Sequence, residues 1–74
     1  MVYKADIELI KMFGAKVKKY RLEQNITQAQ LAFESGMPRE QIYRIEKGQV
    51  NISLKKVDAI AQALNIHPKE LFEF

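Results

Sequence analysis

Seventy-four residues with no cysteine, one histidine and a net charge of +3 make a single domain, with neither a disulfide nor a thiolate zinc site to hold it. His67 cannot build a metal site alone, so no metal or other cofactor is expected, and stability has to come from helix packing, helped by oligomerisation. The apolar runs are only a few residues long, and Met1-Val2-Tyr3-Lys4-Ala5-Asp6 lacks the basic-then-apolar layout of a signal peptide, which excludes a membrane span and makes a cytoplasmic protein the expectation.

Residues from about Ala5 to Glu23 read as the first helix, because Ile10, Phe13, Val17 and Tyr20 recur at three- and four-residue steps and form one apolar stripe. Gly14 lies inside it and weakens it by up to ~1 kcal/mol relative to alanine. Lys16, Lys18 and Lys19 sit near its C-terminus, where positive charge suits the helix dipole; phosphate contact is a secondary use for them. Gln24-Asn25 ends the helix. A second helix runs from about Gln28 to Ser35. Thr27 caps it with its hydroxyl, Gln30 completes a capping-box spacing, and Leu31 and Ala32 face inward.

Gly36 suits the left-handed residue that ends a helix, and Pro38 suits the start of the next, which runs from about Arg39 to Lys47 and stops at Gly48. Two short helices around a tight glycine turn make a helix-turn-helix, a motif that presents its second helix to the major groove of double-stranded DNA. Ile42 and Ile45 are three apart and belong to the core, so Arg39 and Arg44 point outward. Gln49-Val50-Asn51-Ile52 forms a loop. Ser53 then caps a fourth helix whose inward face is Leu54, Val57, Ile60, Ala61 and Leu64. Pro68 starts a last short turn with Leu71, Phe72 and Phe74 as its apolar content, and His67 is a turn residue. The fold expected is all-α, five helices around one core.

Charge follows the same division. Residues 1–23 hold six basic and three acidic side chains, residues 37–56 hold five and two, and residues 57–74 are acidic. Positive charge thus collects on the first helix and around the second helix of the motif, which fits a DNA face on one side and a different task on the other. Lys55 and Lys56 either extend that basic rim or are simply solvated. An enzyme is not expected: there is no cysteine nucleophile, the one histidine precedes a proline, and there is no glycine-rich phosphate loop.

The pattern Val17…Arg21, Thr27-Gln28…Leu31-Ala32, Gly36-Met37 and Ile42…Ile45-Glu46-Lys47-Gly48 resembles the Xre-type helix-turn-helix family of phage repressors, Cro proteins, restriction–modification controllers and many antitoxins. Leu54…Ile60-Ala61-Gln62-Ala63-Leu64-Asn65-Ile66 and Glu70-Leu71-Phe72 extend the likeness, which spans roughly four-fifths of the chain without a gap. The resemblance implies a lambda-repressor-like DNA-binding domain with the helix at about residues 38–47 in the major groove. It places Arg39, Glu40, Tyr43 and Arg44 against base edges and Thr27, Gln28, Lys47, Gln49 and Asn51 against phosphates.

Physical chemistry agrees in part. Helix N-termini such as that at Gln28 bind anions, and an arginine forked onto guanine discriminates by ~1–3 kcal/mol. Each assignment has a plainer counterpart. Gln28 serves equally as an exposed helix former, Gln49 and Asn51 as loop formers, and Arg39–Glu40–Arg44 as a solvated surface. Glu40 accepts from a cytosine amino group or holds Arg44 at the i,i+4 spacing. Tyr43 either touches sugar or thymine methyl or is partly buried. The resemblance also makes Arg21 and Glu46 a partly buried ion pair that aims the recognition helix. Family members often carry Ser or Thr where this chain has Pro38; proline cannot cap with a side chain, so the helix is expected to start one residue later.

Proteins resembling this one bind as two-fold dimers on half-sites ~34–36 Å apart. The expectation is a homodimer through Leu71, Phe72 and Phe74, since a terminal apolar patch marks protein contact. The leading function is a sequence-specific transcriptional regulator, a repressor or autoregulator. One alternative is an antitoxin that binds its own promoter and also a toxin, using Val2-Tyr3 and the Phe72–Phe74 end. Another is a protein-interaction adaptor on the same scaffold, against which Arg39 and Arg44 count.

Overall fold

Apolar steps of three and four residues produce α1 over Ala5–Glu23 in the computed structural model, which describes residues 5–74, with side chains from residue 8 onward. Phe13 and Val17 are buried on its inner face, and Tyr20 packs half-buried beside them. Asn25 takes a left-handed φ of 58° to end the helix. The Gln24 side-chain amide then donates to the Leu64 carbonyl at 2.6 Å. That bond uses a carbonyl which the end of a helix otherwise leaves without a partner.

The motif folds as its punctuation directs. In front of α2 (Gln28–Ser35), the Thr27 hydroxyl accepts from the Gln30 amide at 3.0 Å, and the Gln30 side chain accepts from the Thr27 amide at 2.7 Å. Both halves of the capping box are therefore closed. Gly36 follows at φ 71°, where a side chain would be strained. Pro38 precedes α3 (Arg39–Glu46) with no side-chain cap, so the helix does begin at Arg39. It stops one residue short of the expected Lys47, which is its C-cap.

In α4 (Leu54–Leu64) the Ser53 hydroxyl accepts from the Lys56 amide at 3.2 Å. Val57, Ile60, Ala61 and Leu64 are buried as expected, but Leu54 is 81% exposed. Leu54 opens the helix, and helical side chains lean toward the N-terminus, so it reaches past the body of the core. The half-buried Ile52 of the preceding link packs there instead.

The expected fifth α-helix is a 3₁₀ helix over Pro68–Phe72, leaving four α-helices among the described residues. A run of five residues suits the tighter i→i+3 geometry, which proteins use in short pieces. His67 does more than turn the chain: its Nδ1 accepts from the Lys69 amide at 3.0 Å, while Glu70 accepts from the His67 amide. The other Glu70 oxygen lies 3.4 Å from the Tyr20 hydroxyl. Partial burial, with the Glu70 charge beside it, raises the Tyr20 pKa above the ordinary tyrosine value. Leu71 is wholly enclosed with Leu31, Ile42, Ile45, Ile60, Leu64 and Val17. Among the described residues, no helix is long and apolar enough to cross a membrane.

Gly14 has a role that helix propensity misses. A Cβ at this position would lie 2.1 Å from the Ile45 carbonyl oxygen and 3.1 Å from that of Glu46. The backbones of α1 and α3 touch here, and only hydrogen fits between them. Gly14→Ala is therefore expected to destabilise the fold by at least the ~1–3 kcal/mol of an overpacked core, although alanine is the better helix former. Urea denaturation reads the sign directly, and a more stable variant would contradict the close approach.

Candidate nucleic-acid interface

The recognition geometry begins behind the surface, at Arg21. This side chain is nearly enclosed, and its guanidinium forks onto Glu46 at the end of α3: Nε donates to Oε2 at 2.6 Å and Nη2 to Oε1 at 3.0 Å. Only 9% of the Arg21 side chain and 3% of the Glu46 side chain meet solvent. Nη1 donates to the Ile26 carbonyl at 2.9 Å, and the Gln28 side-chain amide donates to Glu46 Oε1 at 3.0 Å. One carboxylate thus ties α1 and the start of α2 to the last residue of α3, and the same guanidinium holds the α1–α2 link. A buried charge pair is tolerated when such additional bonds satisfy its remaining atoms.

With Ile42 and Ile45 sealed inside, α3 turns Arg39, Glu40, Tyr43 and Arg44 outward, all exposed. Gln28, Arg39, Glu40 and Tyr43 line one shallow depression. Lys18, Gln28, Tyr43, Glu46 and Lys47 line a second beside it. Arg44 Nε donates to Glu40 Oε2 at 3.1 Å, with 55% and 68% of the two side chains in solvent. An exposed i,i+4 pair of this kind contributes only ~0.3–0.5 kcal/mol, so Arg44 is held in place but readily released to a ligand. Lys47 places its ammonium 5.8 Å from the centre of the Tyr43 ring, within cation–π range.

The structure therefore brings Gln28, Arg39, Glu40, Tyr43 and Lys47 to one face, with Arg44 on the same helix. The remaining members of the sequence-derived set stand apart. The Thr27 hydroxyl accepts a cap hydrogen bond, and Gln49 is exposed without lining either depression. Asn51 lines a different feature, an apolar groove with Leu9, Ile10, Phe13, Val50, Ile52, Leu54, Val57 and Phe72. Gln28 is also partly committed, because its amide already serves Glu46.

The expected dimer surface needs correction at Leu71. That side chain is fully buried within the chain, under α1 and α4, and presents nothing to a partner. Phe72 and Phe74 remain partly exposed, their rings edge-on at 6.4 Å, and Phe72 also packs on Phe13 at 5.2 Å. Four exposed apolar residues escaped the sequence reading: Leu54, which it placed inward, the 85% exposed Phe33 of α2, and Leu9 and Leu22 of α1. The place of Leu54 as first residue after its cap was the available signal for that one. Val2 and Tyr3, considered for a toxin contact, lie outside the described residues.

Residues 17–71 match the helix-turn-helix family. The chain is 42% identical over 64 residues to the control protein C.BamHI of Bacillus amyloliquefaciens, covering 85% of this chain and 79% of that one. The restriction–modification controller protein C.AhdI of Aeromonas hydrophila superposes with a TM-score of 0.84 at 38% identity, covering 85% of this chain and 96% of that one. The restriction–modification controller protein C.Esp1396I, solved as a tetramer in complex with its natural 35 base-pair operator, superposes at 0.81 with 32% identity. That match covers 88% of this chain and 86% of the other.

Removing one partner of the buried pair strands the other. Arg21→Ala is expected to cost ~3–5 kcal/mol in chemical denaturation, as is Glu46→Ala, whereas replacing both by apolar residues of similar volume should cost much less than the sum. Additive losses in the double variant would mean that the two charges do not depend on one another.

Proposed function

The chain belongs to the helix-turn-helix family, and we propose that it is a sequence-specific regulator of transcription, a repressor or autoregulator, that lays α3 in the major groove of double-stranded DNA. The observation that carries this is the two-sided α3: Ile42 and Ile45 are sealed in the core, Glu46 is clamped by Arg21, and Arg39, Tyr43 and Arg44 project to solvent. A helix held rigidly by its back and its end can present side chains to base edges in one register. Arg39 and Arg44 read guanine in this proposal, since a guanidinium forks onto O6 and N7. Glu40 keeps Arg44 extended in the free protein and accepts from a cytosine amino group when Arg44 engages DNA. Lys47 and Gln28 hold phosphates, with Thr27, Gln49 and Asn51 at the margin. Phosphate contacts fix the register without reading sequence.

This reading takes residues 1–74 as one lambda-repressor-like DNA-binding domain, acting in the cytoplasm without enzymatic chemistry. A chain with a single short recognition helix gains affinity and specificity by doubling, and a two-fold dimer matches a two-fold operator. The second copy sits on the apolar groove between α1, the link before α4 and the 3₁₀ helix, which the exposed Leu54 and Phe72 line, with Phe74 edge-on to Phe72 beside it. The controller protein solved on its operator supports an oligomer on DNA.

Selection of bound fragments from a random duplex pool is expected to return a two-fold symmetric motif. Arg44→Ala should relax that motif at one symmetric pair of bases, lowering discrimination there by about 5- to 150-fold, the equivalent of ~1–3 kcal/mol. Binding without any motif, or a motif indifferent to Arg44, would remove α3 as the reading element. Sedimentation at micromolar protein should show a dimer for the natural chain and a monomer for Leu54→Glu. A natural chain that stays monomeric both alone and on its selected duplex would exclude the proposed interface.

A further inference from the structure

Three lysines crowd the second half of α1, and the structure separates them. Lys16 and Lys19 bring their ammonium groups over the Tyr20 ring, 5.9 and 5.7 Å from its centre. Lys18 belongs to the opposite flank, one turn ahead of Arg21, and lines the depression shared by Gln28, Tyr43, Glu46 and Lys47. The depression encloses about 190 Å³, several times the ~30 Å³ share of a water molecule, so it admits a larger group.

Its electrostatics are lopsided. The floor holds one carboxylate, Glu46, whose oxygens are taken by Arg21 and Gln28, so its charge is balanced from within. Lys18 and Lys47 stand on the rim, and among the described residues neither is ion-paired. The backbone amides that open α2 at Gln28 have no helical partner and add partial positive charge on the same side. Two lysines without an ion-pair partner among the described residues, one of them resting on the Tyr43 ring, line a depression whose carboxylate is neutralised, next to the exposed face of α3; together they describe a seat for a single anionic group.

We propose that Lys18 is a positioning residue for DNA: it and Lys47 hold one backbone phosphate over Gln28 and Tyr43, and so set how deeply α3 enters the groove. This rests on the regulator reading above and adds a contact from α1, outside the motif itself. The ligand is a phosphodiester of the duplex that α3 reads, because the seat shares Gln28 and Tyr43 with the depression that includes Arg39 and Glu40. Base preference stays with α3, since a phosphate carries no sequence information.

The test titrates the natural protein and the variants Lys18→Ala, Lys18→Arg, Lys16→Ala and Lys19→Ala against one duplex, the one the natural protein selects from a random pool. Binding is measured between 50 and 200 mM salt, and thermal unfolding of each variant confirms the fold. Lys18→Ala is expected to bind more weakly at low salt and to lose about one unit of log–log salt slope per protomer, so its deficit shrinks by about 3.5-fold per protomer across that range, or about 12-fold for a dimer. Its selected motif should be unchanged. Lys18→Arg should keep the natural slope, as should Lys16→Ala and Lys19→Ala. A natural slope for Lys18→Ala, or an equal loss in all three alanine variants, would overturn the phosphate seat while leaving the regulator reading intact. Failure of the natural protein to bind any duplex would overturn both.

Discussion

The clamp between Arg21 and Glu46 is the interaction on which the rest of this fold turns. It occupies the junction of three helices, nearly out of water, and each nitrogen of the guanidinium has a partner. Burying two charges costs several kcal/mol, and the attraction between them does little more than offset that cost. What the pair provides is geometry. A forked, planar contact allows one orientation, and the Gln28 amide joins it from α2, so the end of α3 has no freedom to roll.

The clamp works together with a backbone contact on the same pair of helices. At Gly14, α1 presses directly on the Ile45 and Glu46 carbonyls, less than two turns before Arg21. One site fixes the distance between α1 and α3, and the other fixes their rotation. Two constraints of different physical kinds, steric and electrostatic, are harder to satisfy by a slipped register than either alone. The isoleucines at 42 and 45 complete the arrangement by making α3 two-sided, and the side chains left outside are the ones a groove would meet. By contrast, the surface pair of Arg44 and Glu40 is weak and solvated, which suits groups that must change partners.

At the opposite end the same economy applies to apolar side chains. Leu71 goes inward and closes the core, whereas Leu54 and Phe72 stay outside around a groove and Phe74 stands exposed against Phe72. The 3₁₀ helix is what separates them. Its tight turn, held by His67 and Glu70, rotates consecutive side chains by about 120°, so Leu71 is enclosed while Phe72 rests on Phe13 at the rim. The basic face and the apolar face are thereby supported by one small core.

Much of this was legible in the chain alone. Thr27 with Gln30, Gly36, Pro38 and Ser53 marked helix ends correctly, because caps and turns are local and depend on residues a few positions apart. The core faces of α1, α2 and α3 were readable from period, and the outward side of α3 followed from them. The motif spacing identified the family and, through it, the Arg21–Glu46 pair. Tertiary structure decided what depends on distant neighbours. Gly14 reads locally as a weakness and is in fact a steric requirement, because its contact lies thirty-one positions away at Ile45. Leu54 fits the helical period yet falls beyond the core, and Leu71 is lost to the interior. Lys18 is indistinguishable in sequence from Lys16 and Lys19, and only the packing of α1 against α3 tells which of them meets the face of the motif. Periodicity says which side of a helix is apolar; where that helix ends relative to its neighbours, and what stands across from it, is settled by packing.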